Sequence, residues 1–377
     1  MPKPGPLYCV TDKELYDAVL SSKQHFSADS LRDLARTRGV IYSAADDRAE
    51  LADRLSVMIF GSKEINAIQA EFETAGRGEK TTSFRLNTEL TQADIKQVAE
   101  DYREAVGDQE KVVTYGVGSA GYAVDLEYTD IDFSKTRLRQ RQTREAHIEF
   151  MIEEGHTIVT LPATEKARKT AEKLREQLCA RKQTDIGLEE INFSGITDPK
   201  LRTTFFIKLI SGLAGLTLQD VTRVKADRED TSNNNSENDE EAEKGDEANE
   251  EMLGIVRAMA IHGQSLLTSP EYQTMARRGF FITSITWSAK KTVSPYEIVE
   301  FDAEFDEPAS GTGFKYGLRG WYTQRSGEYT KHPKPLPPEE KKGFLGVIER
   351  AAIGAFRAVQ QELAAQNQDN GNPGGGT

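Results

Sequence analysis

The sequence predicts an α+β fold: a small helical N-terminal domain, then one or two mixed α/β sheet domains interrupted by a disordered acidic segment. Three observations predict it. Apolar residues recur at helical spacing up to about residue 74 and alternate at strand spacing from residue 81 onward. Between residues 227 and 251 no apolar side chain larger than alanine occurs, and such a stretch cannot repay the entropy of its own ordering. A chain of 377 residues is also long enough for two or three modest cores.

Taken in order, residues 12–22 read as a helix with Leu15, Val19 and Leu20 as its apolar positions. The segment "FSADSLRDLARTRGVIYSAADDRAELADRL" reads as two short helices separated by extended chain, and Ile65, Ile68 and Phe72 share one face of a fourth helix. "AGRGEK" at 75–80 is a glycine-rich linker that closes the first domain, 1–78. A mixed domain is expected over 79–226. "TSFRLN" is its first strand, and Thr91 caps a helix carrying Ile95, Val98 and Tyr102. "KVVTYGV" and "YAVDLEYTDIDF" follow as strands, with "AHIEFMIEEG" and "HTIVTLP" as a hairpin. The clearest helix is "ATEKARKTAEKLREQLCARK", striped by Ala167, Ala171, Leu174 and Leu178; the next, "DPKLRTTFFIKLISGL", has Pro199 near its start and Gly212 near its end.

After strand-like "LTLQDVTRVKA" comes the acidic linker, 227–251, and then a second sheet region, 252–366. The latter holds helices near "EEMLGIVRAMAIHGQSLL" and "SPEYQTMARR", strands at "GFFITSITWSA", "YEIVEFDAEF" and "FKYGLRGWYTQ", and a final helix from Pro338 to Ala365. Whether 252–366 continues the sheet of 79–226 or forms its own is left open by the residues. A flexible tail is expected at 367–377.

The formal charge of -13 argues against a nucleic-acid partner only until it is located. Residues 226–251 carry twelve acids against two cations, so the remainder is close to neutral, at about -3. No apolar run reaches the roughly 18 residues that cross a bilayer, and "MPKPGPLYCVTDKEL" lacks a signal peptide's basic end and apolar centre. A cytoplasmic protein without membrane association is expected. Cys9 and Cys179 match no metal spacing and are expected as thiols.

In the quoted segment, Leu31 and Leu34 face one way, Arg38-Gly39 ends the first helix before Val40, and Leu51, Arg54 and Leu55 lie on the second. This arrangement resembles the SAP motif, a helix–extended-loop–helix unit that binds DNA in its family, with Arg48 standing for the family's loop lysine. The loop is longer than the family's and lacks its glycine. The resemblance implies phosphate contacts from Arg38, Arg48 and Arg54; a helical interaction unit, its second helix capped by Asp46, is the alternative.

"SKTRLRQRQTR" adds Lys135, Arg137, Arg139, Arg141 and Arg144 without an acid. If extended, Arg137, Arg139 and Arg141 form a ladder on one face at about 7 Å intervals, close to the spacing of phosphates along one strand. A solvated edge strand is the plainer reading, and docking of these cations by the acidic stretch is a further one.

Asp125, Glu127, Asp130 and Asp132 read as the charged outer positions of a solvent-facing strand; the rival is a divergent Mg²⁺-dependent nuclease, although no acid-x-Lys follows them. His25, His147, His156, His262 and His332 show no metal-binding spacing. Gly116, Gly118 and Gly121 imitate a dinucleotide loop but lead into a strand, which makes them a hairpin turn. Phe280, Phe281, Trp287, Tyr296, Phe301, Phe314, Tyr316, Trp321 and Tyr322, near Lys290, Lys291, Lys315 and Arg319, read either as core or as a base-stacking platform.

The resulting expectation is a nucleic-acid-associated, non-catalytic accessory or sensor subunit, binding DNA before RNA and working with other protein subunits in a prokaryotic antiviral defence system. A protein–protein adaptor without nucleic-acid binding and the divergent nuclease are the rivals. No cofactor or resident metal is expected.

Overall fold

Helical periodicity at the start of the chain resolves into α1 (Asp12–Ser21), α2 (Ala28–Thr37), α3 (Arg48–Ser56) and α4 (Ser62–Phe72). There follow β1 (Thr81–Leu86), α5 (Gln92–Val106), β2 (Lys111–Val117), β3 (Gly121–Ile131), β4 (Arg141–Glu153), β5 (His156–Pro162), α6 (Glu165–Lys182), β6 (Leu188–Glu189) and α7 (Pro199–Ser211). The remainder is β7 (Leu216–Arg228), α8 (Asp239–His262), α9 (Pro270–Arg277), β8 (Phe280–Lys291), β9 (Ile298–Glu307), β10 (Thr312–Tyr322), the short β11 (Gln324–Arg325) and β12 (Glu328–Tyr329), and α10 (Pro338–Asn370). This computed structural model describes residues 10–22, 26–72, 79–153, 155–228, 239–262, 269–325 and 327–370. Cys9, His25, the linker residues before Glu79 and the tail beyond Asn370 lie outside them. Among the described residues, no helix is long and apolar enough to cross a membrane.

Two compact units emerge, the first formed by 1–77, 96–115 and 123–147, the second by 78–95, 116–122 and 148–377. One boundary falls at 77/78, next to the expected cut, but 96–115 and 123–147 group with the N-terminal helices and the chain does not divide at 226, because strand pairing joins residues far apart in the chain. In the first unit, β2, β3 and the first half of β4 lie side by side behind the four short helices in sequence.

In the second unit the strand order is β5-β1-β10-β9-β8-β7, with the end of β4 on β5 and β6 beside β1. Each of these pairings is antiparallel, including the hairpin that brings Glu153 opposite His156. β7, before the acidic stretch, pairs with β8, after it, from Leu216↔Lys291 to Arg228↔Phe280. One sheet is therefore built from both sides of the stretch, which settles what the residues had left open. The stretch itself differs from a disordered 227–251: β7 runs to Arg228 and α8 begins at Asp239, while 229–238 lie outside the described residues. Ala248 and Met252 give the physical reason, since both are buried in the sheet unit's core and anchor the acidic helix through its one apolar face.

Alternation decides which side of each strand enters that core. Phe301, Ala303 and Phe305 of β9 face the layer under α7 and α10, with Trp287 of β8 stacked on Phe301 at 5.5 Å. Phe205 of α7 contacts the rings of Phe193, Phe206, Phe305 and Phe314 in the same layer. The intervening residues of β9 form an ion ladder instead. Asp302 receives Lys80 at 2.6 Å, Glu304 receives Lys80 at 2.9 Å and Lys315 at 3.2 Å, and Asp306 pairs with Lys315. The β9–β10 turn needs Gly311 twice over: its φ is +67°, and a Cβ there would stand 2.6 Å from that of Phe193.

Replacing Phe205, fully buried among four other rings, with alanine should cost about 3–5 kcal/mol of the sheet unit's stability. Trp287 and Trp321 both belong to this unit, so a lower urea midpoint in tryptophan fluorescence is the expected result.

Candidate functional site

The helical start of the first unit is defined by its caps. Thr11 and Glu14 form a reciprocal capping box on α1, Ser27 accepts from Ser30 N–H on α2, and Asp47 with Glu50 repeats the box on α3. The cap of α3 is thus Asp47 and not Asp46, whose carboxylate instead accepts from Ser43 N–H and pairs with Arg54. The end of α2 is a Schellman turn. Gly39 N–H donates to Arg36 O, Val40 N–H donates to Ala35 O, and Gly39 takes φ +73°. The chain then continues out of helix through Ser43 and turns at Ala44–Ala45, closed by Asp46 N–H to Ser43 O, before α3, while Leu31, Ala35, Leu51, Leu55, Ile65 and Ile68 close the core beneath.

Most of the arginines singled out for phosphate are already engaged within the unit. Arg48 donates Nε to Phe26 O at 2.7 Å, and its two terminal nitrogens to Leu20 O at 3.0 Å and Val19 O at 2.5 Å. It therefore closes the carbonyl end of α1, where cations are favoured. Arg38 pairs with Glu64 at 2.6 Å, donates to Ile59 O and lies over the Phe60 ring. Arg54 remains about half exposed, pairs with Asp46 at 2.7 Å and lies over Tyr42.

The basic ladder does not form. Residues 132–140 are a compact loop closed by Asp132 N–H to Gln140 O, with a turn from Thr136 O to Arg139 N–H, so only Arg141 and Arg144 lie on a strand. Leu138, buried in the helical core, pulls this loop onto the module and points its neighbours elsewhere. Arg137 reaches Glu14 at 3.4 Å, Arg139 reaches Ser21 Oγ at 3.4 Å, Lys135 pairs with Asp132 at 3.4 Å and Arg144 with Asp130 at 2.9 Å.

The carboxylates proposed for a metal are spread along β3 and the following loop with separate partners. Asp125 meets His147 at 2.6 Å, Glu127 meets Lys111 at 2.9 Å, and the Ser134 hydroxyl, ahead of Lys135, holds Asp132 below its ordinary pKa. Among the described residues no group of three His, Cys, Asp or Glu could hold a metal ion. The glycines before β3 form a hairpin turn, with Gly118 at φ +59°. Of the C-terminal aromatics, Phe281, Trp287, Phe301, Phe314 and Tyr316 are buried, Phe280 and Trp321 pack against the same core, and Tyr296 is exposed beneath Lys290.

Two features escaped the sequence reading. Arg32, on α2, donates to the carbonyls of Ser43, Ala44 and Asp46 and so fixes the loop before α3; nothing in its spacing announces this. The second is apolar. Ile41, Val57 and Ile59 are 84, 65 and 88% exposed, and the last two line a groove of about 200 Å³ with Val10, Leu15, Met58, Phe60, Ile65 and Ile68. Its signal lay in "SVMIFGS", four apolar residues in a row directly after a helix end. Asp12 is the groove's one charged lining residue.

The sequence matches no protein-family model and none of the curated proteins. Arg48→Met should free the carbonyls of Val19, Leu20 and Phe26 and destabilise the module by roughly 1–3 kcal/mol. Amide exchange at the end of α1 is expected to accelerate, with little change in the sheet unit.

Proposed function

We propose that the chain is an accessory binding subunit without catalysis of its own, and that its N-terminal helical module docks a protein partner in the groove beside Val57 and Ile59. The carrying observation is the pair of large apolar side chains left in water at an apolar groove, while the neighbouring cations are spent on internal carbonyls and carboxylates. Covering them removes apolar surface from water at about 25 cal/mol per Å², whereas a phosphate would have to displace an existing carboxylate at Arg38, Arg54, Arg137 and Arg144 and backbone carbonyls at Arg48. A multi-protein assembly, such as a prokaryotic antiviral defence system, is the setting that suits such a subunit.

Nucleic-acid association is the second reading. It is favoured by the helix, Schellman turn, loop and helix over α2–α3, with Leu31, Leu51 and Leu55 in the core as the SAP resemblance requires. Under it Arg54, Arg137 and Arg144, each about half exposed, would exchange their carboxylates for phosphates.

Affinity purification of the full chain from its own cells, beside a Val57→Glu/Ile59→Glu variant, tests the first reading. Proteins retained in stoichiometric amount by the parent should be lost by the variant; identical retention by both sinks the groove as the docking surface. Fluorescence anisotropy with labelled DNA and RNA at about 50 and 200 mM salt decides the second. Indifference to both removes it, whereas steeply salt-dependent binding that an Arg54/Arg137/Arg144 triple alanine variant loses would put it first.

A further inference from the structure

A carboxyl group lies where neither the ion ladder nor the docking module uses it. Glu349, on the face of α10 turned to the sheet, is 8% exposed, and its Oε1 has no hydrogen-bond partner among the described residues. Its other contact is the side chain of Ser83 on β1, whose Oγ also receives the hydroxyl of Tyr316 from β10 at 3.3 Å. Tyr316 is itself fully buried. α10, β1 and β10 therefore meet at one three-residue polar contact, with Tyr316 in the same apolar cluster as Phe314, Ile348 and Ala352.

The surrounding charges discourage a carboxylate there. From β4, Glu149 is buried and pairs with Lys342 of α10, and Glu153, beside His156 of β5, adds a second like charge. Arg350 is the cation on α10 adjoining the group, and its side chain is exposed. Lys342 is occupied by Glu149, and among the described residues no cation forms an ion pair with Glu349.

We propose that Glu349 is a protonation-controlled latch: as the neutral acid it docks α10 on β1 through Ser83, and loss of its proton loosens that helix from the sheet. Ser83 Oγ, which accepts the Tyr316 hydroxyl, donates its own proton to the carboxyl, and the neutral acid leaves no charge in the apolar layer. The ionised form must keep a full charge with one hydroxyl contact, next to two other carboxylates.

Burial first, and the carboxylates of Glu153 and Glu149 further, push its pKa up from 4.5 to about 7, against the lowering by Ser83 and Arg350. An acid with a raised folded-state pKa makes its full contribution to stability below its unfolded value. It loses stability from that value up to the folded one and is flat beyond. The window here runs from 4.5 to about 7.

The test compares urea midpoints of the full chain with those of Glu349→Gln between about pH 5 and 8.5, together with amide exchange in α10. The parent's folding constant should fall relative to the variant's by on the order of a hundredfold over that range, levelling above neutrality. Exchange in α10, corrected for intrinsic rates, should rise with pH in the parent alone. Ser83→Ala supplies the second arm: removing a contact that lowers the pKa should shift the levelling point to higher pH. Midpoints of parent and Glu349→Gln that run parallel across the range, or a Ser83→Ala profile that levels at the parent's pH, would overturn the latch.

Discussion

Over β8 to β10 the sheet of the second unit sends every second residue of its strands into one apolar layer under α7 and α10, and this part of the unit depends on that constraint. Phe301, Ala303 and Phe305 enter the layer from β9, so Asp302, Glu304 and Asp306 have no choice but the other face. There they are matched by Lys80 and Lys315, an arrangement in which each acid contacts at least one cation. The same layer draws α7 and α10 onto the sheet, anchors α8 through Ala248 and Met252, and fixes the burial of Glu349. A slip of one residue in β9 would exchange rings for carboxylates, which explains why the register is so strongly specified.

The helical module obeys a different constraint. Its helices are nine to eleven residues long, too short to be stable alone, and their ends leave many carbonyls and amides in need of partners. Caps satisfy the amino ends. Arginines supply much of the rest: Arg48 at the end of α1, Arg32 along the loop before α3, and Arg38 at Ile59 O. A guanidinium presents five donors in a rigid fork, which suits it to gathering several carbonyls as well as it suits phosphate. A basic residue in such a motif is therefore ambiguous until its carbonyls are located.

That ambiguity governs the functional reading. Engaged arginines offer phosphate less than their number implies, whereas Val57 and Ile59 gain only by leaving water. The groove beside them is mostly apolar, with Asp12 as its charged edge, a composition closer to a protein interface than to a nucleic-acid track.

Periodicity and turn chemistry by themselves determined the elements. The stripe of Ala167, Ala171, Leu174 and Leu178, the strands flanking Trp287 and Phe301, and the helix–loop–helix about Gly39 are where the residues place them, because spacing of 3.6 or 2 and a positive φ are local properties. Only tertiary structure decided the rest. Leu138 turned a would-be basic strand into a loop, Met252 drew the acidic stretch into a helix, and β7 found β8 across that stretch. The destinations of Arg48 and Glu349 were equally invisible, since a hydrogen bond to a carbonyl 29 residues away, or burial beneath a strand from the other end of the chain, is a consequence of packing that no local pattern encodes.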